Sequence, residues 1–164
     1  MNATRYAEAE ILRALYFIDL WVNGMTDEEY NWKPSGTCHP VSKLHAHILF
    51  YLDLSIHLVL GANPSTWGQF ATKEGLGANV AEIWSSDTSI TLSAMQEYAK
   101  GLKGSVETFF DSISETDLDR EVDTRFLGTQ SVGWMLTFIT YHNLIHTGEI
   151  AAVKGMQGLK GLPI

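Results

Sequence analysis

The sequence has very little cysteine, little positive charge and no long apolar run. A single Cys38 among 164 residues excludes an intrachain disulfide, and we expect a reducing compartment, the cytoplasm. Eleven Lys and Arg against 19 Asp and Glu give a formal charge of −8. Because these cations are scattered, we expect no nucleic-acid partner. No run of about 18 apolar residues and no signal-peptide pattern occur, so we expect neither a membrane partner nor processing.

Four long segments with apolar residues at spacings of three and four predict an all-α fold. Clusters of glycine and proline separate these segments, which are about Thr4–Val22, Val41–Leu60, Thr88–Ile113 and Ser131–Met156. The connection 61–86 exceeds the roughly 2–8 residues that usually join bundle helices. We therefore predict one domain over residues 1–164, a four-helix bundle with a long crossover between helices 2 and 3. The alternative is a helical domain in which this long loop forms a small β-hairpin.

The first predicted helix is apolar on two sides. One side carries Ile11, Leu15, Ile18 and Val22, and the other carries Tyr6, Ala9, Tyr16, Phe17 and Leu20. Since both sides need cover, one should face the bundle and the other a neighbouring helix or a second subunit. The second subunit, which would make the assembly a homodimer, is a hypothesis. Tyr6, Arg13 and Phe17 are also candidates for lining a pocket.

The last predicted helix carries two histidines and a glutamate on one face. At about 100° per residue, His142, His146 and Glu149 fall within an apolar stripe from Met135 to Met156. The spacing of the histidines at i and i+4 stacks their imidazoles on adjacent turns, so both can reach one cation. Burying three such groups without mutual ligation would leave polar atoms unsatisfied at about 1–3 kcal/mol each. The pattern predicts a metal site.

A third ligand has to come from elsewhere in the chain. The run HNLIH is not the zinc-peptidase signature, because Asn143 stands where that signature has its general-base glutamate. The candidates for the third ligand are His39, His45, His47 and His57. His39 is in a loop beside Pro40. His57 projects with Lys43 and Asp53 to the polar side of the second helix, which predicts a solvated side chain.

His45 and His47 compete for the same role. On a helix they point about 160° apart, so only one can be a ligand. Measured from Ile48, within the apolar stripe from Val41 to Val59, His45 lies about 60° away and His47 about 100°. Periodicity alone does not decide between them and slightly favours His45.

The order of several short motifs resembles the DinB-like superfamily. These motifs are V-x-x-L-x-x-H-I at 41–48, H-x-x-x-H-x-G-E-I at 142–150 and the tail GLKGLP, together with T-D-E-E-Y, Trp32 and E-T-D-L between the helices. Members are also described as metal-dependent hydrolases and are related to bacterial thiol-dependent transferases. The resemblance implies a four-helix bundle, usually dimeric, with a divalent metal held by one histidine of the second helix and two of the fourth. Carried onto this sequence, these ligands are His47, His142 and His146.

Three histidine ligands leave coordination positions for water or substrate, as catalytic sites do. A bound ion can activate water for attack on an ester, amide or epoxide. The related transferases imply instead that it holds the thiolate of a low-molecular-weight thiol cofactor. Nickel and zinc both suit imidazole ligands. We therefore expect a small-molecule substrate and a metal-dependent hydrolase or a thiol-dependent transferase or isomerase. The alternative is a non-catalytic, stress-related metal-binding module.

Other side chains have less defined roles. Glu149 is the one candidate catalytic residue, because one turn past His146 it could orient a ligand or act as a general base. Its alternative is to solvate the end of the helix. Cys38 beside His39 is expected to be an inert loop thiol, since adjacent residues rarely align for proton transfer. Three loop tryptophans either cover the pocket or pack against it, namely Trp32, Trp67 and Trp84.

Overall fold

Four long helices make up the bundle, as the sequence predicts. The computed structural model describes residues 2–61 and 65–161, without the side chains of residues 58 and 59. In chain order the helices are α1 (Ala3–Val22), α2 (Asp27–Asn31), α3 (Val41–Asp53), α4 (Trp67–Glu74), α5 (Val80–Ser85), α6 (Leu92–Ser112) and α7 (Val132–Met156). A π-helical turn, Leu54–Val59, extends α3, and a 3-10 turn, Glu115–Asp119, follows α6. The all-α fold with its long crossover between the second and third bundle helices, α3 and α6, is confirmed.

Side-chain caps mark the start of three of the four bundle helices, α1, α6 and α7. The side chains of Asn2, Thr91 and Ser131 each accept a hydrogen bond from a backbone N–H in the first turn of α1, α6 and α7. Such caps satisfy donors that have no partner within the helix. Because Thr91 is the cap, α6 begins at Leu92 and not at Thr88, where periodicity placed its start.

Contacts between helix ends give the directions of the helices. Arg5 at the start of α1 bonds Asp111 at the end of α6, 2.9 Å away, so these helices are antiparallel. The Lys154 ammonium at the end of α7 donates to the Trp21 carbonyl oxygen at the end of α1, so α1 and α7 are parallel. Lys154 also places a cation at the negative end of α1, which favours this arrangement.

The polar side of α3 is buried beneath the crossover segment. The expectation that Lys43, Asp53 and His57 face solvent is therefore wrong. The Lys43 ammonium donates to the Thr88 carbonyl oxygen at 3.1 Å, and Asp53 accepts from the Trp67 N–H at 3.1 Å. His57 lies 3.2 Å from Asp53, although not in hydrogen-bonding alignment. Periodicity assigned these residues to solvent because their partners come from a distant part of the chain.

A short β-hairpin joins α6 to α7. Strands β1 (Glu121–Asp123) and β2 (Thr129–Ser131) pair antiparallel. The alternative prediction of a hairpin in the crossover is wrong, because the described part of that loop forms α4 and α5. At the tip of the hairpin, Arg125 adopts the left-handed conformation with φ 66°. The Asp123 carboxylate accepts from the Arg125 N–H, and the Thr124 hydroxyl accepts from the Leu127 N–H.

The core lies between the four long helices and includes one predicted apolar side of α1 and one face of α6. Ile11, Leu15, Ile18 and Val22 are buried, as are Met95, Tyr98, Leu102, Val106 and Phe109. On the other side of α1, Tyr6 and Tyr16 stay 60% and 61% exposed. The side chain of Val59 and residues 162–164 of the predicted tail lie outside the described residues. Among the helices that are described, none has the length and apolarity to cross a membrane.

Candidate metal centre

Helices α3 and α7 bring three imidazoles together. His47 on α3 places its Nε2 atom 3.2 Å from Nε2 of His142 and 3.2 Å from Nε2 of His146. Tyr51, one turn after His47, contacts the His142 ring at 4.7 Å, so α3 and α7 are antiparallel. The three candidate donor atoms lie within 4.8 Å of one another. The two helices thus build the cluster from residues about 95 positions apart in the sequence.

The histidines of α7 lie at the margin of its buried face. Asn143, Thr147 and Ile150 occupy the centre of that face and are buried, whereas Ile145 is 50% exposed. The prediction that the histidines sit inside the apolar stripe is therefore wrong by part of a turn. The buried face is rotated because two polar residues, Asn143 and Thr147, take core positions. The Thr147 hydroxyl donates to the Asn143 carbonyl oxygen. The imidazoles consequently lie between the core and solvent.

The spacing of the nitrogens fits a shared cation. Two nitrogens bound to one zinc ion at about 2.0–2.1 Å, with an angle of about 90–110° between them, lie about 2.9–3.4 Å apart. The two measured separations of 3.2 Å fall in this interval. Without a cation, an N–H at one Nε2 atom can donate a linear hydrogen bond to the lone pair of only one other, so the third Nε2 atom is left without a partner in the cluster. The donor set therefore fits a divalent ion better than a hydrogen-bonded trio.

Burial keeps His47 and His142 in the protonation state that a metal requires. Desolvation, reinforced by the neighbouring imidazoles, lowers the pKa of His47 to about 3. The same causes lower the pKa of His142 to about 4. Both rings are therefore neutral at pH 7 and can present a lone pair from Nε2.

Glu149 contacts the third imidazole, that of His146, at Nδ1. Its Oε2 atom lies 2.6 Å from Nδ1 of His146, and its side chain is 52% exposed. A carboxylate at Nδ1 fixes the proton on that nitrogen and leaves Nε2 as the acceptor that faces the cluster. The contact favours an orienting role for Glu149, while its role as a general base stays a prediction.

The sequence profile of the DinB superfamily matches residues 16–150, which is most of the chain. The chain belongs to the DinB superfamily. No curated protein matches it.

Two solved structures resemble this DinB-superfamily chain along nearly its whole length. A conserved protein from Enterococcus faecalis has a TM-score of 0.76 and 18% identity, with 94% of this chain and 96% of that chain covered. A DinB-like protein from Bacillus subtilis has a TM-score of 0.65 and 19% identity, with 97% and 96% covered. At such identities the likeness establishes a shared fold.

Aromatic rings surround the histidines of this DinB-superfamily protein. Trp84 of α5 lies 4.6 Å from the His47 ring, measured between centroids, and His39 stacks on Trp84 at 4.1 Å. Trp84 is thus the loop tryptophan that packs at the cluster, whereas Trp67 is buried in the core. Tyr51 contacts the His47 ring at 4.8 Å. The sequence interpretation missed Tyr51, although its i+4 spacing from His47 puts it on the same face of α3.

The other candidate ligands have different partners. His45 is 1% exposed, and its Nδ1 atom is hydrogen-bonded to the Tyr30 hydroxyl at 2.8 Å. His57 lies against Asp53, and His39 lies at the rim on Trp84. Periodicity slightly favoured His45, but the α3 histidine that lies in the cluster is His47.

The remaining pocket candidates lie elsewhere. Arg13 lines a groove between α1 and α6, and Tyr6 lines one between α1 and α7. Phe17 packs edge-on against Trp21 at 5.6 Å. Cys38 is exposed and borders a cleft beside Trp84.

Proposed function

We propose that this protein is a metal-dependent enzyme that binds a divalent ion, zinc or nickel, through His47, His142 and His146. The observation that carries the proposal is the meeting of three Nε2 atoms, two pairs of them 3.2 Å apart, at the edge of the core. Three nitrogen donors leave positions open to water or substrate. The proposed substrate is a small molecule.

Each ligand has a residue that sets its orientation. Glu149 holds His146 through Nδ1, and Tyr51 packs against the rings of His47 and His142 at 4.8 and 4.7 Å. Rings fixed in this way present their lone pairs without reorganisation, which favours metal affinity.

The ion, when bound, would lower the pKa of a coordinated water or thiol and so supply a nucleophile at neutral pH. The protein would contribute the remaining steps through its own groups. Glu149 is the carboxylate nearest to the cluster along α7, and its half-exposed side chain has a second oxygen available to accept a proton. If the activated nucleophile is water, the protein is a hydrolase. If it is a low-molecular-weight thiol, the protein is a transferase or isomerase.

Metal analysis tests the centre directly. Protein purified without a His-tag and reconstituted with zinc or nickel should bind one equivalent. His47→Ala, His142→Ala and His146→Ala should each lose it. His39→Ala and His45→Gln are matched controls, because they remove the competing candidate ligands, and they should keep full stoichiometry. Failure of the wild-type chain to bind either ion would refute the proposal.

Turnover distinguishes the kinds of protein that such a centre allows. The metal-loaded protein should be assayed on esters, amides and epoxides, each with and without an added low-molecular-weight thiol. Turnover in water alone indicates a hydrolase, and turnover that requires the thiol indicates a transferase. One bound equivalent of metal with no turnover in either series would favour a non-catalytic metal-binding module.

We also propose that the protein forms a homodimer. Two tyrosines of α1, Tyr6 and Tyr16, are 60% and 61% exposed. They leave aromatic surface on the side of α1 away from the core. Sedimentation at micromolar concentration tests the assembly, and a single monomer boundary would refute it.

A further inference from the structure

A row of aromatic side chains extends from the histidine cluster along α7 and onto the hairpin. The row consists of Tyr51, Phe126, Phe138 and Trp134, and we call it the aromatic wall. Tyr51 contacts the His142 ring at 4.7 Å and the Phe126 ring at 5.7 Å. Phe138 contacts His142 at 5.7 Å and Phe126 at 6.0 Å, and it stacks on Trp134 at 5.4 Å. The wall is therefore continuous with the rings of the candidate ligands.

The outer members of the wall are exposed. Phe126 is 40% exposed and Trp134 is 39% exposed, on two different elements that meet at this place. Single exposed apolar residues are common, but a connected group of rings at the border of a polar cluster is a feature of ligand sites. The bundle core does not account for their position.

The hairpin tip holds Phe126 in place at some conformational cost. Arg125, the preceding residue, has φ 66°, a conformation that costs a side-chain-bearing residue roughly 1 kcal/mol or more. The turn is fixed by the Asp123 carboxylate on the Arg125 N–H at 2.9 Å and by the Thr124 hydroxyl on the Leu127 N–H at 2.7 Å. A tip that is held in this way presents Phe126 as a pre-organised surface.

The border of the cluster beside Trp84 combines that ring with polar groups. Trp84 packs on His47, His39 stacks on Trp84, and both line a cleft of about 540 Å³ that also has Ser42 and Lys43 in its lining. A molecule that reaches the three Nε2 atoms would meet the aromatic wall on one side and a mixture of Trp84 and polar groups on the other. The two borders thus offer different chemistry to different parts of a substrate.

We propose that the aromatic wall is the subsite for an aromatic or other large apolar group of the substrate, next to its reacting atom. This inference rests on the proposed metal centre, because the three histidines fix where the reacting atom lies. An aromatic group can pack on the faces and edges of Tyr51, Phe126 and Phe138, which adds ring contacts to the burial of apolar area. Substrates with a small substituent in its place would bind less tightly.

A pair of metal-binding probes with different substituents tests the subsite without requiring turnover. Benzohydroxamate and acetohydroxamate share one chelating head, so the ratio of their dissociation constants for the zinc-loaded protein reports the substituent. Calorimetry should give a preference for benzohydroxamate of about tenfold, which corresponds to about 1.4 kcal/mol. Phe126→Ala should reduce this ratio by at least half, and Phe126→Leu should restore part of it because it keeps apolar area.

The matched control is Tyr141→Ala. Tyr141 is an exposed aromatic residue of α7, 66% exposed, but it lies in the groove between α1 and α7. It should leave the ratio unchanged, and unchanged melting temperatures should show that all variants are folded. Equal binding of the two probes, with acetohydroxamate bound normally, would overturn the aromatic subsite and leave the metal centre standing. If no zinc binds, the metal centre itself fails and the subsite with it.

A second copy of the chain is the competing occupant of the wall. In that case Phe126→Ala would shift the sedimentation coefficient of the zinc-loaded protein and leave the probe ratio at its wild-type value. That result would also overturn the proposal.

Discussion

The carboxylate of Glu149 should raise metal affinity through its charge, and the substitution Glu149→Gln isolates that charge. In the wild-type chain Nδ1 of His146 lies 2.6 Å from the Glu149 carboxylate. Glutamine keeps an oxygen that can accept a hydrogen bond from this Nδ1–H, so the orientation of the ring is preserved. The substitution removes one negative charge, which lies on the other side of the His146 ring from the metal-binding nitrogen.

The size of the effect follows from Coulomb's law. An ion bound at Nε2 of His146 lies about 6–7 Å from the carboxylate, given the width of the ring and a bond of about 2.1 Å. A charge of −1 then attracts one of +2 by about 1.3 kcal/mol at a dielectric constant of 80 and about 2.5 kcal/mol at 40. Since the Glu149 side chain is 52% exposed, values in this range apply. Glu149→Gln should therefore weaken metal binding by about tenfold to seventyfold.

Competition with a chromophoric zinc chelator at pH 7.5 measures this change. Glu107→Gln is the matched control, because the Glu107 side chain is 47% exposed, forms an ion pair with Lys103 on α6 and carries the same charge. It should leave metal affinity unchanged, which separates a local field from the net charge of −8. Glu149→Ala, which also removes the acceptor, should weaken binding further. An affinity of Glu149→Gln within twofold of wild type would refute the electrostatic argument.

Three further outcomes follow from the structure. Chelation of the metal should lower the melting temperature by about 5–10 °C if the metal is present at a hundred times its dissociation constant, as differential scanning calorimetry would show. Asp53→Ala should lower the free energy of unfolding by about 2–4 kcal/mol in urea titrations, because it strands the buried Trp67 N–H, yet metal stoichiometry should persist. His45, whose pKa burial lowers to about 3, binds a proton only when the chain unfolds, so it should account for about 2 kcal/mol of the stability that metal-free protein loses between pH 7.5 and pH 5, beside similar losses from His47 and His142. His45→Gln should make this loss smaller by about 2 kcal/mol and Tyr30→Phe should not; equal slopes for wild type and His45→Gln would contradict this assignment.

The two α7 histidines could be predicted from sequence, but their α3 partner could not be predicted from periodicity. His142 and His146 are one turn apart, so any helix brings them together. Helix α3 is different because residues 41–49 are all buried, whether they belong to its apolar stripe or not. With every side covered, distance from Ile48 carries no information on which of His45 and His47 faces α7.

The parts of the site that depend on loops had no local signal. Phe126 reaches Tyr51 and Phe138, the rings beside the cluster, only because the hairpin folds back on α7. The left-handed Arg125 next to it is not a residue that turn preferences select. The burial of Asp53 likewise depends on the crossover, whose backbone supplies its partners. Periodicity describes a helix against an average environment and cannot show which loop will cover its polar side.

Among the described residues, a histidine and a carboxylate form a pair at two places, and the difference between the two pairs supports the proposed chemical role of one of them. In the pair His57–Asp53 both side chains are at most 1% exposed, and Asp53 is bound to the N–H groups that begin α4. No substrate can reach it without opening the crossover. In the pair His146–Glu149 the side chains are 19% and 52% exposed, and the imidazole turns its other nitrogen toward two further imidazoles. The same two residue types therefore anchor a loop where they are enclosed and present a donor atom where they lie at the edge of the core.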